Sequence, residues 1–451
     1  MNIILLSGGS GKRLWPLSND VRSKQFIKLF KNESGDYESM VQRVYRQITS
    51  VDPNAKVTIA TSKTQVSAIH NQLGDNVSVC VEPMRRDTFP AIALAAAYLK
   101  DELGVGLDEA VVVCPVDPYV DNSYYEGVKK LEELVKKGTA NLTLMGIEPT
   151  YPSEKYGYII PESSGAVSRV KEFKEKPDKI TAESYIIYGA IWNAGVFAFK
   201  LDYLIDKAHA MIDFTDYRDL YSKYETLTKI SFDYAVVEKE PSIQVMRYAG
   251  EWKDVGTWNM MAEVMADVTK GAVTLDEECN NTNVVNELGL PILVMGAKDM
   301  VIAASGDGIL IADKERSGYM KPYAEKIATD IRYAEKSWGS YNVIDASRSS
   351  LTVKVILNPG HRMSYHSHEH RDEIWTVLEG TGITIIDGME QHVRPGDVVT
   401  MAAGCKHTVI AKTSMILLET QIGEEISVED KTKYELQGVI DPNNAPDEWS
   451  E

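Results

Sequence analysis

The sequence predicts an α/β fold built on a mixed, mostly parallel sheet, followed by a connector of short strands and a small all-β barrel. Three observations predict it. Through about residue 260, apolar β-branched runs alternate with helix-like stretches. From about 271 the apolar pieces shorten and are punctuated by Gly and Asp. After Tyr341 only strands and turns are left, at close and regular spacing. The 451 residues exceed one ordinary core, since domains usually run to roughly 100–200 residues. The expected divisions are 1–265, 266–338 and 339–451.

In order, Ile3–Leu6, Lys56–Ala60, Ser78–Val81 and Ala110–Val116 read as strands. Between them, Glu38–Thr49 and Pro90–Leu103 read as helices, the second opened by Asp87 and Thr88 as candidate caps with Pro90 in its first turn. Such alternation implies a sheet covered by helices on both faces. The connector runs from VTLDEECNNTNVV to GILIAD and is followed by a charged stretch, Lys314–Lys336. Beyond it, LTVKVIL, EIWTVLEG, GITIIDG, DVVTMAAG and SMILLETQ are the barrel's strands.

Composition removes several functions. The hydrophobic fraction of 44% and charged fraction of 25% describe an ordinary folded protein without low-complexity tracts. A net charge of −18 argues against nucleic acid or an acidic membrane surface as the main partner, so any phosphate must be bound by local charge. The longest apolar runs, Ala91–Leu99 and Ala110–Val116, fall short of the ~20 residues that span a bilayer, and a cytoplasmic location is expected. Cys80, Cys114, Cys279 and Cys405 form no CxxC pair, so neither disulfides nor a thiolate zinc site is expected.

The first strand ends in LSGGSGKRLWPLS, followed by RSKQFIKLF. Gly8, Gly9 and Gly11 let the backbone approach a phosphate chain, and the loop's amides can donate to it. Arg13 and Lys24 add fixed positive charge in an acidic chain. The spacing GGxGxR is neither a Walker loop nor a dinucleotide fingerprint.

This stretch resembles the signature of sugar-1-phosphate nucleotidyltransferases, and with KQF it resembles the mannose-1-phosphate guanylyltransferase branch. The resemblance continues in order through EPMRRDTFPAIALAA (82–96), VVCPVDPYV (112–120), EKYGYI (154–159), FKEKPD (173–178), IWNAGVFAF (191–199), FDYAVVEK (232–239) and WKDVGTW (252–258). It implies a Rossmann-like transferase domain in which a sugar phosphate attacks the α-phosphorus of GTP and pyrophosphate leaves, with magnesium held by Asp117 and Asp254. It further implies that Arg13 holds the leaving pyrophosphate, Lys24 the phosphate under attack, and Lys176 the incoming sugar phosphate. Ser7, Gly8, Gly9, Gly11, Glu82, Asp87, Thr88 and Asp117 then bind the nucleotide, and Gly157, Glu175 and Asn193 the sugar. Three positions depart from the common pattern: Ser23 stands where a proline precedes KQF, PVDP replaces an ADH, and Asp87 takes the place of an asparagine. They put base and sugar identity in doubt, not the transfer chemistry.

In the C-terminal part the spacing is Gly360, His366, His368, Glu373, Gly380, then Gly396, Ala402, Gly404, His407. Alternation places His366 and His368 on one face of a strand, and three of the chain's eight histidines fall on these positions. The spacing resembles the two cupin motifs, with Ala402 replacing the usual proline. It implies that His366, His368, Glu373 and His407 converge on a divalent metal inside the barrel, where zinc, iron, manganese and nickel suit the ligand types equally. SWGSY and HSHEHRDEIW also resemble the phosphomannose isomerase domain fused to guanylyltransferases, with His370 and Arg371 matching its HR pair. His366, Glu369 and Ile374 depart from it, and the tail is shorter.

The partners read from the sequence are therefore a nucleoside triphosphate and a sugar 1-phosphate, and the connector's short strands leave a homo-oligomer open. Two other readings stay open at this level: the same transfer chemistry with another base or sugar and a non-catalytic cupin, or a sugar-sensing protein with a degenerate transferase site.

Overall fold

The computed structural model describes residues 1–9, 11–74, 77–327, 331–427 and 429–436. Ser10 of the glycine-rich loop, residues 328–330 of the charged stretch and the end of the cupin segment lie outside them. The chain forms two compact units. The first comprises Met1–Gly9, Gln25–Lys63 and Leu73–Ala266; the second comprises Ser10–Lys24, Thr64–Gln72 and Asp267–Glu451.

The first unit is organised by a nine-stranded sheet. Its order is Ser78–Glu82, Lys56–Ser62, Asn2–Leu6, Ala110–Pro115, Ile191–Lys200, Leu142–Ile147, Ile243–Tyr248, Val167–Lys174 and Tyr158–Pro161. The first four strands are parallel. Ile191–Lys200 then runs antiparallel to both of its main neighbours, and Ile243–Tyr248 returns parallel to Leu142–Ile147. The sheet is thus mixed, with its parallel half at the N-terminal strands.

Helices arise where the local chemistry allows. Met40–Val51 starts at Ser39, whose hydroxyl accepts from Gln42 N while the Gln42 side chain accepts from Ser39 N, satisfying two otherwise orphaned amides. Glu38, read as the helix start, instead binds Arg46. Thr88–Asp101 is buried along nearly its whole length, as its run of Ala, Ile and Leu requires. With Phe197, Phe199, Phe232 and Val113 it forms the first unit's core.

In the second unit, Thr269–Lys270, Asn283–Asn286 and Met300–Ser305 pair in parallel. Val273–Leu275 pairs in parallel with Ile292–Val294. The chain therefore winds alternately through two small sheets, around Val284, Val294 and Ile302. Beyond it, a six-stranded and a five-stranded sheet make the barrel, cored by Trp375, Leu357, Leu417 and Val409. Among the described residues no helix is long and apolar enough to cross a membrane.

Candidate functional site

In the first unit, the chain leaves Asn2–Leu6 between two parallel neighbours lying on opposite sides of it. The crevice beyond the carboxyl ends at such a point is where open α/β sheets bind ligands. Ser7 follows the strand directly, its amide donating to Ala60 O at 2.9 Å. Its carbonyl and hydroxyl accept from Gln25 Nε2 at 3.0 and 3.1 Å. A Cβ on Gly8 would lie 3.3 Å from Glu82 Oε1, so glycine keeps that approach open.

Glu82 ends the strand Ser78–Glu82, which lies beyond Lys56–Ser62 in the sheet, and is buried. Tyr224 donates to it at 2.8 Å, and burial pushes the carboxyl up to about 7. Asp87 caps the next helix through Thr88 N at 2.7 Å with φ at +70°, a strained conformation for a residue with a side chain. Thr88 Oγ1 accepts from Phe232 N at 2.8 Å.

Asp117 stands two residues beyond Ala110–Pro115. Trp252–Asp254 pairs antiparallel with Pro118–Val120, setting Asp254 opposite Pro118 and so beside Asp117. Two half-exposed carboxylates, one ending a strand of this ribbon and the other just before its partner strand, suit a hard divalent ion that takes further oxygen ligands. Tyr156 reaches Asp254 Oδ2 at 3.5 Å. Its phenol is pushed up by burial and then by Asp254.

Gly157, Glu175, Lys176 and Asn193 also come together. Asn193 N donates to Gly157 O, and Asn193 Nδ2 donates to Asp233 Oδ1, each at 2.8 Å. A Cβ on Gly157 would meet Glu175 Oε2 at 2.6 Å. Lys176 donates to Glu175 and holds φ at +46°. Burial works against the lysine's charge, but Glu175 keeps its pKa above the usual value. Asp233 is pushed up to about 7 by burial and then by Glu175.

Asp233 and the aromatic group of Tyr151, Tyr156, Trp192 and Trp252 were not singled out from the sequence. Asp233 lies inside FDYAVVEK (232–239), and that stretch is the signal the sequence offers for it. Gly11, Arg13 and Lys24 belong to the second unit, Arg13 exposed and Lys24 half-buried. Ser23, in place of a proline, is buried and accepts from Gln65 Nε2 at 2.7 Å.

In the barrel, His366, His368, Glu373 and His407 are buried, and their ligand atoms lie within 4.8 Å of one another. The antiparallel pairing of His366 with His407 and the alternation of Arg371–Glu379 bring them inside. Each imidazole Nδ1 meets a backbone carbonyl: Ser364 O at 2.7 Å, Asp430 O, and Cys405 O at 2.9 Å. A carbonyl only accepts, so Nδ1 carries a proton, and in the neutral ring Nε2 then presents a lone pair. Burial, then Lys431 and His407, pulls His366 down to about 2, so it is neutral, as a metal ligand must be. Glu373 Oε2 and His407 Nε2 are buried without a hydrogen-bond partner. Three imidazole lone pairs and a carboxylate fit a divalent transition metal.

Four further residues shape this interior. Arg371 Nε donates to Glu373 Oε1 at 3.2 Å, and its Nη2 lies 3.1 Å from His368 Nε2. Glu419 accepts from Trp375 Nε1 at 3.1 Å and from Gln421 Nε2 at 2.6 Å. Strand register sets Glu419 opposite Trp375 and Gln421 opposite Glu373. Burial, then the charge of Glu373, pushes Glu419 up to about 7. The alternation of SMILLETQ was the sequence signal for Glu419 and Gln421.

Residues 2–271 match the Nucleotidyl transferase family, and 353–420 match the Cupin domain family. Among characterised proteins the chain is similar to the mannose-1-phosphate guanylyltransferase ManC of Salmonella typhimurium, 28% identical, with 96% of this chain and 97% of that protein covered. It is also 28% identical to the alginate biosynthesis protein AlgA of Pseudomonas aeruginosa, with 96% of each covered. A solved structure from Thermus thermophilus, described as a mannose-1-phosphate geranyltransferase, superposes with a TM-score of 0.59 at 27% identity. It covers 72% of this chain and 98% of its own. With the family match extending over residues 2–271 of 451, the chain belongs to the nucleotidyl transferase family.

Proposed function

We propose that this protein transfers a guanylyl group from GTP to mannose 1-phosphate, giving GDP-mannose and pyrophosphate. The observation that carries the proposal is the ribbon pairing that sets Asp254 opposite Pro118, the residue after Asp117. Similarity to a guanylyltransferase over 96% of the chain supports the choice of base and sugar. Residues 1–265 are assigned the transfer chemistry, 266–338 the connector and 339–451 the cupin.

In this reading a phosphate oxygen of the sugar phosphate forms a bond to the α-phosphorus as the bond to pyrophosphate breaks. The protein's part is to position two anions and offset their charge. Lys176 receives the incoming phosphate, Lys24 the phosphate under attack and Arg13 the pyrophosphate. Gly157, Glu175 and Asn193 take the sugar hydroxyls. Glu82, Asp87 and Thr88 flank the base, while Gly8, Gly9 and Gly11 leave room for the phosphates. Asp117 and Asp254 would hold magnesium, which neutralises phosphate charge when bound.

Pyrophosphate release across GTP, CTP, UTP and ATP, each with mannose 1-phosphate or glucose 1-phosphate, tests the proposal. Turnover with GTP and mannose 1-phosphate is expected to exceed every other pair. A preference for another pair would reassign the substrates, and no release with any pair would end the transferase reading.

For the barrel, the ligand set supports a resident zinc, iron, manganese or nickel ion. A second reading, isomerisation of a phosphosugar, is favoured by Glu419 at the neighbouring interior position. Aldose–ketose exchange needs a polarised carbonyl and a base that moves a proton between adjacent carbons. Interconversion of mannose 6-phosphate and fructose 6-phosphate by the full chain, lost in Glu419→Gln, is the expected result. Its absence in the wild type would leave the barrel without this activity.

A further inference from the structure

The segment carrying Arg13 and Lys24 has almost no regular structure of its own. Among its described residues it contains only short 3-10 turns, Lys12–Leu14 and the one begun by Lys24. Its shape is fixed from within and from the connector. Within it, a Cβ on Gly11 would lie 2.8 Å from Ser23 Cα, so the loop's two ends close on each other. Asn19 is buried, and its Oδ1 accepts from the amides of Val21 and Arg22 at 2.9 and 2.7 Å. This leaves Nδ2, which can only donate.

The group that receives it is Asp307, on the turn after Met300–Ser305. Asn19 Nδ2 donates to Asp307 Oδ2 at 2.7 Å. The other carboxylate oxygen accepts from Arg332 N at 2.8 Å. Beside it Ser305 Oγ donates to Pro16 O at 2.7 Å. Arg22 makes a two-pronged pair with Glu287, at 2.6 and 3.1 Å, and its guanidinium stacks over Tyr333. Buried hydrogen bonds to a charged acceptor are short and directional, and losing one partner strands the other without water.

We propose that Asp307 is a positioning residue for nucleotidyl transfer, an inference that rests on the transferase reading above. It acts through Asn19: the carboxylate orients the amide, the amide fixes the backbone at Val21 and Arg22, and that backbone sets where Arg13 and Lys24 stand. Two long cationic side chains on an unbraced loop would present their charge in many geometries. Misplacement by about 1 Å is enough to cost ~100-fold in rate.

The test uses the full chain with GTP, mannose 1-phosphate and magnesium. Asp307→Ala and Asn19→Ala are each expected to lower kcat by roughly 10–100-fold, with the melting temperature held within a few degrees. The double variant should be close to Asn19→Ala alone, because Asn19→Ala already removes the bond through which Asp307 acts. Asp307→Asn keeps one acceptor oxygen and should recover part of the loss. Hydrogen exchange in residues 11–24 should accelerate in Asp307→Ala while the barrel strands stay protected. Wild-type kcat in Asp307→Ala, additive losses in the double variant, or exchange that rises throughout the chain would each overturn the proposal. A wild type that turns over no substrate pair overturns the transferase reading together with this one, whereas an active wild type with an indifferent Asp307→Ala overturns this one alone.

Discussion

His407 Nε2 lies 3.2 Å from Glu373 Oε2, and neither atom has a hydrogen-bond partner. In the neutral ring, with the His407 proton on Nδ1 and directed at Cys405 O, two lone pairs face each other in a buried space. Such a pair is repulsive until a cation lies between the lone pairs.

The first prediction follows from that repulsion. After treatment with chelator, the wild type is expected to take up one equivalent of zinc, read by calorimetry and elemental analysis, and to melt at a higher temperature when loaded. His407→Ala and Glu373→Gln each remove a ligand and should weaken binding by more than the ~10–100-fold typical of losing an outer partner. Stoichiometric uptake unchanged in both variants would rule out this ligand set.

The paired aspartates give the second. Asp117→Ala and Asp254→Ala should each reduce pyrophosphate release by at least ~100-fold, the usual cost of one electrostatic stabiliser. The melting temperature should barely move, because both side chains are half-exposed. Comparable turnover at saturating magnesium in either variant would remove that residue from the site.

Glu82 gives a pH-dependent prediction. Its carboxyl, raised to about 7 chiefly by burial, keeps its proton in the folded chain over a range where the unfolded chain has released it. Below the ordinary carboxylate value both states are protonated and the group is neutral in effect. Between that value and about 7 the folded state binds more protons, so its contribution to stability falls as pH rises. Glu82→Gln, which still accepts from Tyr224, should therefore gain on the wild type between pH 4 and pH 8, by on the order of 1–3 kcal/mol. A stability difference independent of pH in parallel denaturant titrations would contradict it.

Gly157 supplies a fourth. A methyl group there would come within 2.6 Å of Glu175 Oε2, so Gly157→Ala must displace that carboxylate. The KM for mannose 1-phosphate should rise by roughly 10-fold or more, while the KM for GTP stays close to the wild-type value. Equal shifts in both would mean that Glu175 does not face the sugar.

Much of this was legible in the sequence because local patterns decide it. The strands Asn2–Leu6 and Ala110–Pro115 and the helix Thr88–Asp101 follow from apolar runs and caps. The spacing of His366, His368, Glu373 and His407 matches their convergence, although the strand holding His366 ends at Ser367, before His368. Pairing partners were not legible. Nothing local to Trp252–Asp254 says that it will lie against Pro118–Val120, and the short His366–Ser367 and His407–Ala411 strands lack an apolar alternation to announce them. Asp307 and Glu287 are ordinary acidic residues in sequence, and only long-range folding gives them Asn19 and Arg22 as partners.

The second unit's claim on Ser10–Lys24 bears on how the chain can be dissected. A fragment ending at residue 265 would keep Arg13 and Lys24 but leave Asn19 and Arg22 without their acceptors, so its inactivity would say nothing about catalysis. A cut after Asp313, the end of the strand that follows Asp307, keeps both Glu287 and Asp307 and forfeits the Arg332 amide and the Tyr333 ring under Arg22. Fragment boundaries drawn for expression should therefore follow the hydrogen bonds of Asn19 rather than the change in sequence texture near 266.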